Sequence, residues 1–165
     1  MKLNRIFDAV LKVFIWVSAV ILTLTVLSVA IEVFLRTIVN KPQAWVLEFT
    51  EYGLLFITFL VAPFLVRTER NITVDMVIEL LNQKTKSRLS VVQHAIICAV
   101  AFVFVYFGST VTLDLYQRGI YNPTIMQVPM AYVLFIIPVG GVFIMISAII
   151  KLLESVRKLR EMKEI

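Results

Sequence analysis

The stretch VFIWVSAVILTLTVLSVAI, residues 13–31, runs between Lys12 and Glu32 without one ionisable side chain. As an α-helix it would rise about 28 Å, close to the roughly 30 Å hydrocarbon core of a bilayer. A cleavable secretion signal is the competing reading, because a basic start precedes the apolar run. The run is too long for a signal core, and no small-x-small cleavage site ends it cleanly. A first spanning helix is therefore expected at about residues 10–34.

Three more runs follow. Residues 52–66 carry no charge but are too short to cross alone, so the second span is expected to start at Trp45 and cover about 45–66. Glu48 and Glu51 would then sit at the membrane surface, with Trp45 as an interfacial aromatic anchor. Residues 89–113 are long enough for a third span. Between Arg118 and Lys151 there is again no charge, although Pro123, Pro129 and Pro138 divide the stretch. The fourth span is expected at about 129–153, with Pro129 suited to a first helical turn.

The 165 residues are 60% hydrophobic and 16% charged, with a mean hydropathy of +0.92. A soluble domain would have about 45–50% and about 25%. Four spans of about 20 residues use about half the chain and leave no room for a soluble catalytic domain. The fold class expected is all-α, a single four-span membrane domain, and not an enzyme. One His and the single Cys98 offer no disulfide and no ligand set for zinc, an iron–sulfur cluster or a bis-histidine haem, so no cofactor is expected.

A net charge of +5 and a pI near 9.5 would suggest nucleic acid in a soluble chain. Here the placement of the charges gives a better reason, and no nucleic acid is expected. Lys and Arg number three before the first span and two in the first connection. The middle connection has five, the third one and the tail five. Alternate segments sum to 3+5+5 = 13 against 2+1 = 3, which the positive-inside rule reads as both termini in the cytoplasm. Attraction to anionic membrane lipids is the secondary consequence.

Two non-spanning segments are amphipathic. Val74, Val77, Ile78 and Leu81 recur at helical spacing apart from Asp75, Glu79 and Asn82, as in a short helix lying at the cytoplasmic surface. The tail beyond Lys151 has Leu152, Leu153, Val156 and Leu159 among its charges, and reads as the fourth span continued into the headgroups.

Candidate residues are few. Glu32 and Arg36 have the i,i+4 order that favours a helix pair. Arg36 facing Glu48 would clamp the first hairpin, the alternative being solvated charges at headgroup level. Glu48 with Glu51 could suggest ion coupling, but both fall at a span end and no acid occupies mid-span. His94 and Cys98 share a helix face without a third ligand, so packing is the expected role and no metal. Asp114 and Arg118 form another i,i+4 pair. Pro63 and Pro138 should kink or loosen their helices. Gly140 and Gly141 let a neighbouring helix approach closely.

In this order the features resemble a known family, the small membrane (DctQ-like) subunit of tripartite ATP-independent periplasmic (TRAP) transporters. The likeness begins at Arg36 and Asn40, passes through Trp45-x-x-Glu48 at the start of span two, and continues at the basic boundary Arg67. Asn71, Ile72, Thr73, Val74 and Asp75 are similar to the family's His-Ile-x-Val-Asp stretch. Val128 and Pro129, then Tyr132, then Ile137, Pro138, Val139 and Gly140 resemble its Ile-Pro, aromatic and Pro-Ile-Gly pattern. Asn71 departs from the usual His, and Val61, Ala62 and Pro63 replace a Gly-Ala pair.

The resemblance implies a bacterial inner-membrane scaffold subunit without catalytic or substrate-binding residues. A large multi-span subunit would hold the substrate and sodium sites, and a periplasmic substrate-binding protein would deliver a small organic acid. Arg36, Trp45 and Glu48 would serve the outer hairpin, Asp75 the cytoplasmic connector, and Pro129, Pro138 and Gly140 helix packing. One rival is a self-sufficient homodimeric proton-coupled exporter, for which Glu32 is the sole and poor intramembrane acid. A quinone-linked anchor or membrane enzyme is the other.

Overall fold

The computed structural model describes residues 2–40, 43–68 and 83–161. Its elements are α1 (Lys2–Ile38), α2 (Trp45–Thr68), α3 (Gln83–Arg118), α4 (Met130–Leu134) and α5 (Ile136–Glu161). Among the described residues the only other regular feature is one antiparallel bridge between Tyr121 and Pro129. Four helical segments are long and apolar enough to cross a membrane, the fourth being α4 and α5 together. The expected interfacial helix, with Asn71 and Asp75, lies outside the described residues.

The helices run past the edges of the apolar stretches. Lys, Arg and Glu are good helix formers, so backbone hydrogen bonding continues after hydropathy has changed. α1 starts at Lys2 rather than near residue 10, and α3 covers Gln83–Arg118 rather than 89–113. The tail continues α5 in one helix to Glu161.

The fourth span is not one uninterrupted helix. Pro138 has no N–H to give the carbonyl of Leu134, and its ring crowds that carbonyl. The hydrogen-bond ladder is interrupted at Phe135, between α4 and α5, while that residue keeps helical dihedrals (φ −60°, ψ −21°) and the axis carries on. Pro129 stands one position before α4 as its N-cap, with φ −61° and ψ 122°, instead of inside the first turn. Pro63, by contrast, is embedded in α2, which stays helical from Trp45 to Thr68.

The helices pack as a row: α1 on α2, α2 on α5, and α5 on α3. α5 occupies the middle. In their most apolar windows, 39% of the fourth span is buried against 11% for α1 and 6% for α3. Phe14 of α1 also reaches Phe143 of α5, with ring centroids 4.8 Å apart, and Phe59 of α2 meets Phe104 of α3 edge-on at 5.5 Å. Trp16, Val26 and Phe34 on α1, and Phe102, Tyr106 and Phe107 on α3, remain exposed. Apolar surface this extensive is stable only against lipid or another protein.

Glycines set the spacing within the row. A Cβ built on Gly140 would stand 2.7 Å from Phe59 Cβ and 2.9 Å from the Phe59 carbonyl oxygen. That carbonyl is the one Pro63 deprives of its helical donor. The bare Gly140 Cα thus faces a freed acceptor, a geometry suited to a weak Cα–H···O contact. On the other side of α5, Cβ atoms on Gly108 and Gly141 would meet Pro138 Cδ and Val105 Cγ2 at 3.1 Å each.

Candidate functional site

Ionisable and hydrogen-bonding side chains gather at the two ends of the row. At one end Arg67, on the last turn of α2, places its Nε 3.0 Å from Asp8 Oδ1 on α1 and its Nη1 3.5 Å from Glu154 Oε1 on α5. Lys151 Nζ lies 3.3 Å from Glu154 Oε2. The beginning of α1 and the end of α5 therefore lie together, at what is termed the basic end. Close by, the Ser90 and Ser155 hydroxyls are 2.9 Å apart and join α3 to α5. His94 is buried and donates from Nδ1 to the Ser90 carbonyl at 2.7 Å. The imidazole thus bonds within α3, one turn from the serine pair. Among the described residues no group of three or more His, Cys, Asp and Glu converges as a metal site.

The opposite end, the hairpin end, is organised around Glu48. Its position in the first turn of α2 suits an anion, because the helix dipole is positive there. The side chain is not at the surface: Glu48 is 6% exposed. Glu48 Oε2 accepts from the Thr124 hydroxyl at 2.7 Å and from Met126 N–H at 3.3 Å, and Oε1 accepts from Ile125 N–H at 2.9 Å. Tyr52, one turn on in α2, accepts from Asn122 Nδ2 at 2.8 Å. Four polar contacts therefore fasten the connection between α3 and α4 onto α2.

That connection is preshaped by its own backbone. α3 is closed just past its end by Gly119, whose φ of +59° is left-handed and costs glycine little. Ile120 N–H then donates to Leu115 O and Gly119 N–H to Tyr116 O, the paired bonds of a Schellman ending. Asn122 N–H donates to Val128 O and Met130 N–H to Ile120 O, pinching the loop into a short antiparallel neck. Its tip carries Ile125, 69% exposed, and Met126 and Tyr121 are exposed beside it. The result is an apolar knob held on a buried carboxylate.

The expected Arg36–Glu48 clamp is not formed. Arg36 Nε instead lies 3.6 Å from Glu32 Oε1, one turn back on α1, with its own side chain 59% exposed. Arg36→Ala should therefore change stability by less than about 0.5 kcal/mol, as for an exposed i,i+4 pair. Thermal unfolding in detergent checks this. Trp45 is half-exposed, with its indole Nε1 donating to Gln43 Oε1 at 3.2 Å and its ring against Phe49. Pro138 and Gly140 lie on opposite neighbours, α3 and α2. Asp75 falls outside the described residues.

The sequence reading missed Arg67 as a link joining three helices, and Thr124 and Asn122 as partners of α2. Asp8, Arg67 and Glu154 each follow or precede an apolar run, which was the available signal for the first. Chain separations of 70 and 76 residues left none for the second.

This geometry defines a multi-span helical membrane protein whose ion pairs and buried polar contacts fix its own ends. The chain matches the family model for tripartite ATP-independent periplasmic transporters, DctQ component, over residues 25–158. It belongs to that family and is a small TRAP transporter subunit rather than an enzyme. None of the curated proteins compared with the chain matches it.

Proposed function

We propose that the chain is the static small permease subunit of a sodium-coupled, binding-protein-dependent carrier of small organic acids. It lies in the bacterial inner membrane with the basic end, and so both termini, in the cytoplasm. The excess of Lys and Arg on that side, 13 against 3, supports this orientation. The large partner subunit supplies the substrate and ion sites. This chain anchors it in the bilayer, and the hairpin end adds to the surface that receives the periplasmic binding protein.

The observation that carries this reading is where polarity sits. None of the four apolar runs contains Asp, Glu, Lys or Arg, and their one histidine, His94, is bonded to the Ser90 carbonyl near the basic end, whereas a transport path marks itself with ionisable groups and broken helices around a polar site. The interruption at Phe135 borders a cavity of about 380 Å³ whose lining, Thr112, Leu113, Tyr116, Ala131, Tyr132 and Phe135, carries no ion-binding carboxylate or cation. A proton-coupled exporter would need an acid inside a span; Glu32 instead pairs with Arg36 at the end of α1.

Deleting the gene in its own host should abolish sodium-dependent uptake of at least one member of a panel of radiolabelled small carboxylates, and a plasmid copy should restore it. Unchanged uptake of the whole panel, together with proton-driven export of ethidium by vesicles holding this chain alone, would favour the homodimeric exporter.

A further inference from the structure

At the basic end, α1, α2 and α5 border a half-open cavity of about 420 Å³. Three cations line it, Lys12, Arg67 and Lys151, with two carboxylates, Asp8 and Glu154. Both carboxylates are held by Arg67 and one also by Lys151. Lys12 is exposed at the mouth and forms no ion pair among the described residues. The wall therefore has one positive charge in excess, 3 − 2 = +1.

Phe64, half-buried, supplies the apolar part of the lining, with Leu11, 1% exposed, packed behind it. Leu11 lies two residues before the uncharged run 13–31, and Phe64 inside the run 52–66. The cavity thus straddles the level at which headgroups meet acyl chains. Basic pockets between spanning helices at this depth suit phosphate-bearing headgroups.

We propose that this cavity binds a phosphate group, supplied by an anionic glycerophospholipid. The phosphate sits against Lys12 and the neighbouring edge of Arg67 and Lys151. The glycerol and the first acyl methylenes lie on Phe64. A soluble phosphate ester would use the cations alone, whereas the apolar wall favours the membrane source. Such a lipid would tie α1, otherwise packed mainly on α2, to α5 at the bilayer surface.

The full chain, purified in phosphatidylcholine-containing detergent and mixed with equal phosphatidylglycerol, should keep phosphatidylglycerol preferentially in native mass spectra. Lys12→Gln, which preserves helix propensity, should weaken that retention about fivefold, and Lys12→Arg should restore it. Glycerol 3-phosphate at millimolar concentration should not displace the lipid. Equal retention of the two lipids, or an unchanged Lys12→Gln variant, would overturn the site. Displacement by glycerol 3-phosphate would overturn the lipid as its occupant.

Discussion

Glu48→Ala should free the loop tip, Thr124, Ile125 and Met126, from α2 while Asn122 stays on Tyr52, and cost roughly 3 kcal/mol of stability. The carboxylate is 6% exposed and accepts three hydrogen bonds from the loop. Bonds to a charged group contribute about 1.5–3 kcal/mol each, and they do not add fully. The loss stays near the lower end because Ile125 and Met126 are exposed residues, whose N–H groups can turn to water once released. Glu48→Gln should fall between, since its amide keeps one acceptor oxygen but aims an NH₂ at a donor. Amide exchange at Ile125 and Met126 should accelerate strongly in the alanine variant while total helix content holds. Unchanged exchange at those two amides would show that the carboxylate does not hold the loop.

Gly140→Leu should part α2 from α5, at a cost of at least the 1–3 kcal/mol or so of an overpacked interface. Even alanine there brings Cβ to 2.7 Å from Phe59 Cβ and 2.9 Å from its carbonyl oxygen. Neither atom belongs to a flexible side-chain end, so a helix has to move. Alanine's advantage over glycine in a helix, about 1 kcal/mol, offsets part of that cost but not the collision. Gly53→Ala makes the useful comparison: its new Cβ would meet the Thr25 hydroxyl at 2.9 Å, the end of a side chain. The thermal midpoint in detergent should fall in the order Gly53→Ala, Gly140→Ala, Gly140→Leu, the last lowest. A Gly140→Leu variant as stable as the parent would contradict the packing described.

The helices were legible because hydropathy and helix length answer to the same bilayer thickness. The run 13–31 announced α1, and Trp45 marked the start of α2 although the uncharged stretch begins only at Tyr52. Helix ends were less legible, since Lys2, Lys84 and Arg118 continue a helix as readily as they end a hydrophobic run. What covers the carbonyl that Pro63 frees is not contained in the local sequence. Pro138 interrupts the hydrogen bonding at the single residue Phe135, and Pro63 leaves α2 whole, its freed Phe59 carbonyl covered by Gly140 from another helix.

The hairpin end was misjudged for a related reason. An acid at a span end is stable at the surface, so Glu48 gave no sign of burial, and Arg36 was the nearest opposite charge in the sequence. Its actual partners are an uncharged hydroxyl and two backbone N–H groups, 76–78 residues away. Backbone donors are the same at every position in a sequence. Only the turn at Gly119 and the neck from Ile120 to Met130 bring these two to the carboxylate.

The most direct measurement of the proposed role is the mass of the intact assembly released from native membranes by mild detergent. One copy of this 18.9 kDa chain bound to one polytopic membrane protein several times its mass would agree with a static subunit serving a larger carrier. An assembly of this chain alone, active in vesicles as a carrier without any partner, would contradict it.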